Sequence, residues 1–133
     1  MKKDLFERWN NKKIEVDTKT HSCEGEVYIK ERDVWDCFVG KNIGFEQDGG
    51  GEEFLRPVLI IKKFNRNMCW IVPLSTKQKD LDFYYNFIDH NSKKVSIILA
   101  QLRLISSNRL KRKMYKIEKN HFNNIKKELR SLL

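Results

Sequence analysis

The sequence predicts an α+β chain, mainly β: a small barrel of short strands with a helical extension at the N-terminus and an amphipathic helix at the C-terminus. Three observations carry this. Apolar runs of strand length crowd the middle of the chain, as in PVLIIKKF, CWIVPL and KVSIILAQLRLI. Turn-forming residues separate those runs, and a glycine-rich stretch precedes the first long one. Both ends instead place apolar residues at helical spacing among charges. Short strands in the middle with helices outside them suit a small barrel with additions.

Residues 4 to about 13 set Leu5, Phe6 and Trp9 on one short amphipathic helix, and IEVDTKTHSCEG from Ile14 to Gly25 reads as a connector. Residues 1–30 are thus expected to be helix and connector, and 31–133 the barrel domain with its C-terminal helix. A strand is expected from near Arg32, with Val34 and Cys37 or Trp35 and Phe38 inward. GKNIGFEQDGGGEE, from Gly40 to Glu53, holds five of the six glycines and reads as a flexible loop. PVLIIKKF, the turn FNRNM and CWIVPL form a hairpin, with Pro57 and Pro73 expected at strand ends. LDFYYNFI and KVSIILAQLRLI are a third and a fourth strand. From Glu118, Phe122, Ile125, Leu129 and Leu132 recur every three or four residues, one apolar stripe on a helix.

At 133 residues the chain is one domain's worth. No apolar run approaches the roughly 18 residues of a membrane span, and no apolar core follows the basic start to make a secretory signal. Cys23, Cys37 and Cys69 are odd in number and widely spaced, which fits reduced thiols in the cytoplasm and no zinc site. The formal charge is +9, and 105–133 holds nine Lys or Arg against two Glu. That density makes nucleic acid the leading class of partner, against a solvated helix face or an acidic protein partner.

The catalytic inventory is thin. His21, His90 and His121 belong to no recognisable motif, and Asp80 and Asp82 are the nearest approach to a metal-binding pair. No metal and no cofactor is expected. Arg56 and the Ser75–Thr76 step remain. Arg56 lies about nine residues before the centre of the hairpin turn and the hydroxyls about nine after it, so pairing sets them at one end of the ladder. A guanidinium beside a hydroxyl at the mouth of a glycine loop suits a phosphate. The plainer alternative is a salt bridge from Arg56 to Glu52 or Glu53.

IGFEQDGGGEEFLRPVLII, WIVPLSTK and ILAQLRLISSNRLKRKM together resemble the PemK/MazF family of toxin endoribonucleases. The E-Q-x-G loop, R-P-V-L, the V-P-L-[TS] strand end and Q-L-R occur in the family's order across about residues 33 to 117. The resemblance implies an SH3-like barrel of the MazF/CcdB/Kid type, a homodimer, metal-independent cutting of single-stranded RNA, and an acidic antitoxin covering the same groove. It implies Arg56 and Ser75 as the catalytic pair, with Thr76 the other candidate hydroxyl. Gln47, Phe45, Lys77, Gln101 and Arg103 are the candidate RNA contacts, and Phe54 and Trp70 further stacking candidates. DNA, lacking a 2′-hydroxyl, is expected to survive. The competing reading is a non-catalytic relative on the same barrel that binds RNA or, as CcdB-like toxins do, a protein target.

Overall fold

The runs at 58–61 and 69–74 lie side by side at the centre of one antiparallel sheet in the computed structural model, which describes residues 2–18 and 28–133. Along the chain come α1 (Lys2–Thr18), β1 (Asp33–Phe38), β2 (Leu55–Lys63), β3 (Met68–Ser75), β4 (Tyr84–Ile88), β5 (Lys94–Ile98), β6 (Arg103–Ser106), β7 (Leu110–Lys116) and α2 (Lys119–Ser131). Single 3-10 turns, Leu99–Gln101 and Ser107–Arg109, flank β6.

Strand β3 organises the sheet. Its first half pairs with β6, from Met68 to Ile71, and its end pairs with β5 through Leu74 and Ser75. On the other side it meets β2, followed by β1 and β7. The outer strands β6 and β7 are joined by three residues, which span about 10 Å at most. The path β6-β3-β2-β1-β7 must therefore curl, and it wraps Trp35, Cys37, Val58, Ile60, Ile71, Ile105 and Leu110 into one core. The expected mainly-β, barrel-like architecture is what forms.

The opposite face of the same strands is buried too. Val34, Leu59, Val72 and Leu74 pack with Phe87, Val95 and Ile97 of the β4–β5 arm and with Phe122 and Ile125 of α2. Strands covered on both faces read as unbroken apolar runs, which is why VLII lacks alternation. It also means that both inward pairs considered for β1, Val34 with Cys37 and Trp35 with Phe38, are buried. Each such aliphatic side chain contributes about 1.5–3 kcal/mol on burial.

Four expectations change. First, α1 runs on to Thr18, through the first part of the expected connector. Val16 sits seven residues after Trp9 on the same face and is buried, so packing overrides the weak helix propensity of Ile14, Val16 and Thr18. The rest of the connector, with His21 and Cys23, lies outside the described residues. Second, KVSIILAQLRLI is two strands, because the 3-10 turn at Leu99–Gln101 breaks the run and sends β6 back to β3. Third, LKRKMYK is a strand, β7, on β1. Fourth, the prolines lie within β2 and β3. The β2–β3 register starts only at Val58 opposite Pro73, and Pro73 falls between the last β6 pair and the first β5 pair, so a missing donor is tolerated at both positions.

The basic C-terminal segment is partly neutralised by the fold. Lys111 bonds Glu53, Arg112 lies 3.3 Å from Asp36, and Lys113 and Lys116 lie 3.4 and 3.0 Å from the buried Asp33. Helix α1 docks through Trp9, whose ring lies 5.5 Å from that of Phe54. Gly40, at φ +88°, admits it: a Cβ there would come within 2.2 Å of the indole.

No helix among the described residues is long and apolar enough to cross a membrane. Cys37 and Cys69 are buried, and burial pushes both thiols up to about 12. Iodoacetamide at pH 8 is expected to leave both unmodified in the native protein and to label both after denaturation, read site by site by peptide mass spectrometry.

Candidate active site

The loop that the glycines marked as flexible is cross-linked by hydrogen bonds. Its base is closed where Gly40 N–H donates to Phe54 O at 3.2 Å and Gly49 N–H to Gly40 O at 2.8 Å. Inside it, the Asp48 carboxylate accepts from Lys41 Nζ at 2.7 Å and from Asn42 N–H at 2.5 Å, while Asn42 Nδ2 donates to Gln47 O at 2.8 Å. Gln101 reaches across from the 3-10 turn: its Oε1 accepts from Gln47 N–H at 3.2 Å and its Nε2 donates to Phe45 O at 3.0 Å.

This loop and the end of β3 hold Arg56. Nε donates to Asp48 O at 2.6 Å and Nη1 to Leu74 O at 3.0 Å. The orientation of the Gln47 amide that satisfies both its ends places Oε1 2.8 Å from Arg56 Nη2. All three acceptors are neutral oxygens. The nearby Asp48 carboxylate is engaged by Lys41 and Asn42, and Glu53 by Lys111 and Lys12, so the alternative of an Arg56–Glu53 bridge is not what forms. Burial lowers the Arg56 pKa from its ordinary value, opposed by the charges of Asp48 and Tyr84. The guanidinium is still a cation at neutral pH, with no carboxylate of the described residues bonded to it.

Continuing the β2–β3 register by two residues sets Arg56 opposite Ser75. Ser75 Oγ accepts from Lys77 N–H at 3.1 Å, which fixes its lone pairs and leaves its own proton free to donate. Beneath it the buried Ser96 hydroxyl donates to Lys77 O at 2.8 Å, with Ser75 O as a second acceptor at 3.3 Å. Arg56, Ser75, Thr76, Lys77 and Gln47 line one cleft of about 620 Å³. The β3–β4 connection adds Lys79, and the β4–β5 arm adds Lys93 and His90. Asp89, on the same wall, accepts from the backbone of Asn91 and Lys93 at 2.9 Å. Four cations around one backbone-bonded carboxylate make an anion receptor.

With that geometry in place, residues 32–133 match the model of the PemK-like, MazF-like toxins of type II toxin–antitoxin systems. The chain belongs to the PemK/MazF family. Its fold is similar to that of MazF from Deinococcus radiodurans, with a TM-score of 0.60 and 19% identity over 80% of this chain and 97% of that one. It is similar also to an endoribonuclease solved in complex with its cognate antitoxin from a mycobacterial species, at 0.59 and 13% identity over 78% and 93%. Mycobacterium tuberculosis toxin MazF-mt6 scores 0.56 at 11% identity over 75% and 94%. No curated protein matches the sequence.

Every residue of the cleft in this PemK/MazF family member lies inside the matched segment, and α1 lies before it. Gln47 also borders a second cavity of about 360 Å³, which is where Gln101 and Arg103 are found. Phe45 stands fully exposed on the loop. Phe54 and Trp70 are not stacking surfaces for the cleft. Phe54 is buried against Trp9, and Trp70 packs edge-on against Phe64 at 5.0 Å beside α2. Lys79, Lys93 and Ser96 have no place in the sequence-based site, where His90 is set aside as belonging to no motif. Ser96 alone left a signal, a hydroxyl in an otherwise apolar strand. Among the described residues no cluster of His, Cys, Asp or Glu is arranged to hold a metal.

Proposed function

We propose that this PemK/MazF family member is a toxin endoribonuclease that cuts single-stranded RNA at a short specific sequence without a metal ion. The observation that carries the reading is Arg56: a guanidinium fixed by three neutral oxygens beside Ser75, in a cleft rich in cations. The ribose 2′-hydroxyl attacks the adjacent phosphorus and loses its proton. The P–O5′ bond breaks and the leaving oxygen takes up a proton, giving a 2′,3′-cyclic phosphate and a 5′-hydroxyl end. Charge builds on the non-bridging oxygens, and Arg56 with the Ser75 hydroxyl stabilises it without reorganising.

Ser75 is the better placed of the two hydroxyls, since Lys77 N–H orients it and Thr76 is exposed. Ser75→Ala is expected to lower kcat about 10–100-fold, the loss of one donor to a charged oxygen at about 1.5–3 kcal/mol. Thr76→Ala is expected to stay within about threefold, the scale of an ordinary surface change. The reverse order of effects would reassign the hydroxyl to Thr76.

The mycobacterial endoribonuclease in complex with its cognate antitoxin and the MazE–MazF structure from D. radiodurans support an antitoxin partner here. An acidic, partly disordered segment is the chemistry that fits the cationic cleft. The working form is a cytoplasmic homodimer, as the family resemblance implies. To test the activity, a long single-stranded RNA is incubated with the protein in excess EDTA and the ends are mapped by mass spectrometry. Discrete cuts ending in cyclic phosphate are expected, with a DNA of the same sequence untouched. Intact RNA from a folded sample free of antitoxin overturns the reading in favour of a non-catalytic binder.

A further inference from the structure

The cleft around Arg56 is the first of three neighbouring cavities. Gln47 is a wall shared with the second cavity. Asn42 and Glu46 are in turn shared between that cavity and a third, of about 840 Å³, whose far wall is α1. One loop, 40–49, borders all three.

On α1 the residues facing this third cavity include Lys3, Phe6, Asn10 and Lys13, at spacings of three and four, so a single helix face is turned to it. Trp9 stands at the edge of that face and docks the helix together with Val16, both buried, while Phe6 is 40% exposed. Lys41 stands 5.9 Å from the Phe6 ring, and Ile43 and Phe45 are exposed on the facing loop. The carboxylates on the cavity walls, Glu7 and Glu46, are outnumbered by lysines. Exposed rings among lysines are what a single-stranded nucleic acid requires, cations for its backbone and flat apolar faces for its bases.

We propose that α1, which precedes the family match, forms an accessory RNA-binding surface that takes nucleotides flanking the cleaved step. The proposal rests on the endoribonuclease reading above. It commits to RNA because the loop that borders this surface also borders the cleft that holds Arg56.

The test compares a trimmed RNA centred on a mapped cut site with versions extended at the 5′ or the 3′ end. In the wild type one extension is expected to raise kcat/KM about tenfold, the scale of one stacked base with its phosphate contacts. In the Lys3→Ala, Phe6→Ala, Lys13→Ala triple variant that ratio falls to about one. Arg8→Ala, on the opposite face of α1, keeps it. Circular dichroism verifies that both variants fold. A wild-type ratio near one, or a ratio unchanged in the triple variant, overturns the proposal. If no RNA is cut, the endoribonuclease reading fails instead, and fluorescence anisotropy with the extended RNA decides the helix by itself. Equal affinity in wild type and triple variant then overturns it, and a loss of about tenfold upholds it.

Discussion

Arg56→Ala is expected to lower RNA cleavage by about 10²–10³-fold in kcat, the usual cost of removing one preorganised donor from a developing negative charge. The change also strands the carbonyls of Asp48 and Leu74, each of which loses a charged donor. A stability loss of about 1–3 kcal/mol is expected beside the catalytic one. Urea denaturation separates the two, because the variant should remain folded under assay conditions. Arg56→Lys is the sharper control. A lysine keeps the charge but has no planar fork to span Asp48 O, Leu74 O and Gln47 Oε1 together. It should recover most of the stability and little of the rate. Full activity in Arg56→Lys would show that charge alone matters, and an unaffected rate in Arg56→Ala would remove Arg56 from the mechanism.

Trp9→Ala is the second large effect. The indole fills the space between α1, Phe38 and Phe54, with Gly40 against its ring and the Arg109 guanidinium 5.8 Å away. Truncating a buried tryptophan costs about 3–5 kcal/mol. Because the buried apolar contact between α1 and the barrel, among the described residues, centres on this small cluster, the loss should fall on docking of the helix rather than on the barrel. Hydrogen exchange is expected to rise across Lys2–Thr18 and in the 40–54 loop, while β2 and β3 keep their protection. Gly40→Ala should reproduce the pattern from the other side of the contact, since its Cβ would occupy the indole's place. Uniform loss of protection through β2 and β3 would show instead that α1 is integral to the barrel core.

Most of the barrel was legible because central strands are buried on both faces and announce themselves as apolar runs. What escaped had the opposite character. β7 reads LKRKMYK, with Leu110 its buried residue, because an edge strand carries lysines toward solvent and toward the carboxylates of its neighbours. The break at Leu99–Gln101 was hidden since Leu99 is as buried as the strand residues before it. Turn geometry, not hydropathy, ends β5. At the site, counting from the hairpin turn set Arg56 level with the Ser75–Thr76 step. Lys93 belongs to the β4–β5 reversal, whose position depends on β5 joining β3 through only two paired residues, and Lys79 to the connection before β4; no local pattern encodes their place at the site.

The acceptors that hold Arg56 have a bearing on how such a protein changes over generations. Two of the three are main-chain carbonyls, at Asp48 and Leu74, which any residue would supply. Substitutions at the exposed positions of the neighbouring loop, Ile43, Phe45 and Glu46, need not disturb them. On the proposed function, the part of the surface that would meet nucleobases is thereby free to drift toward new target sequences while the arginine stays in place. Retargeting and loss of function are mutationally separate in this architecture.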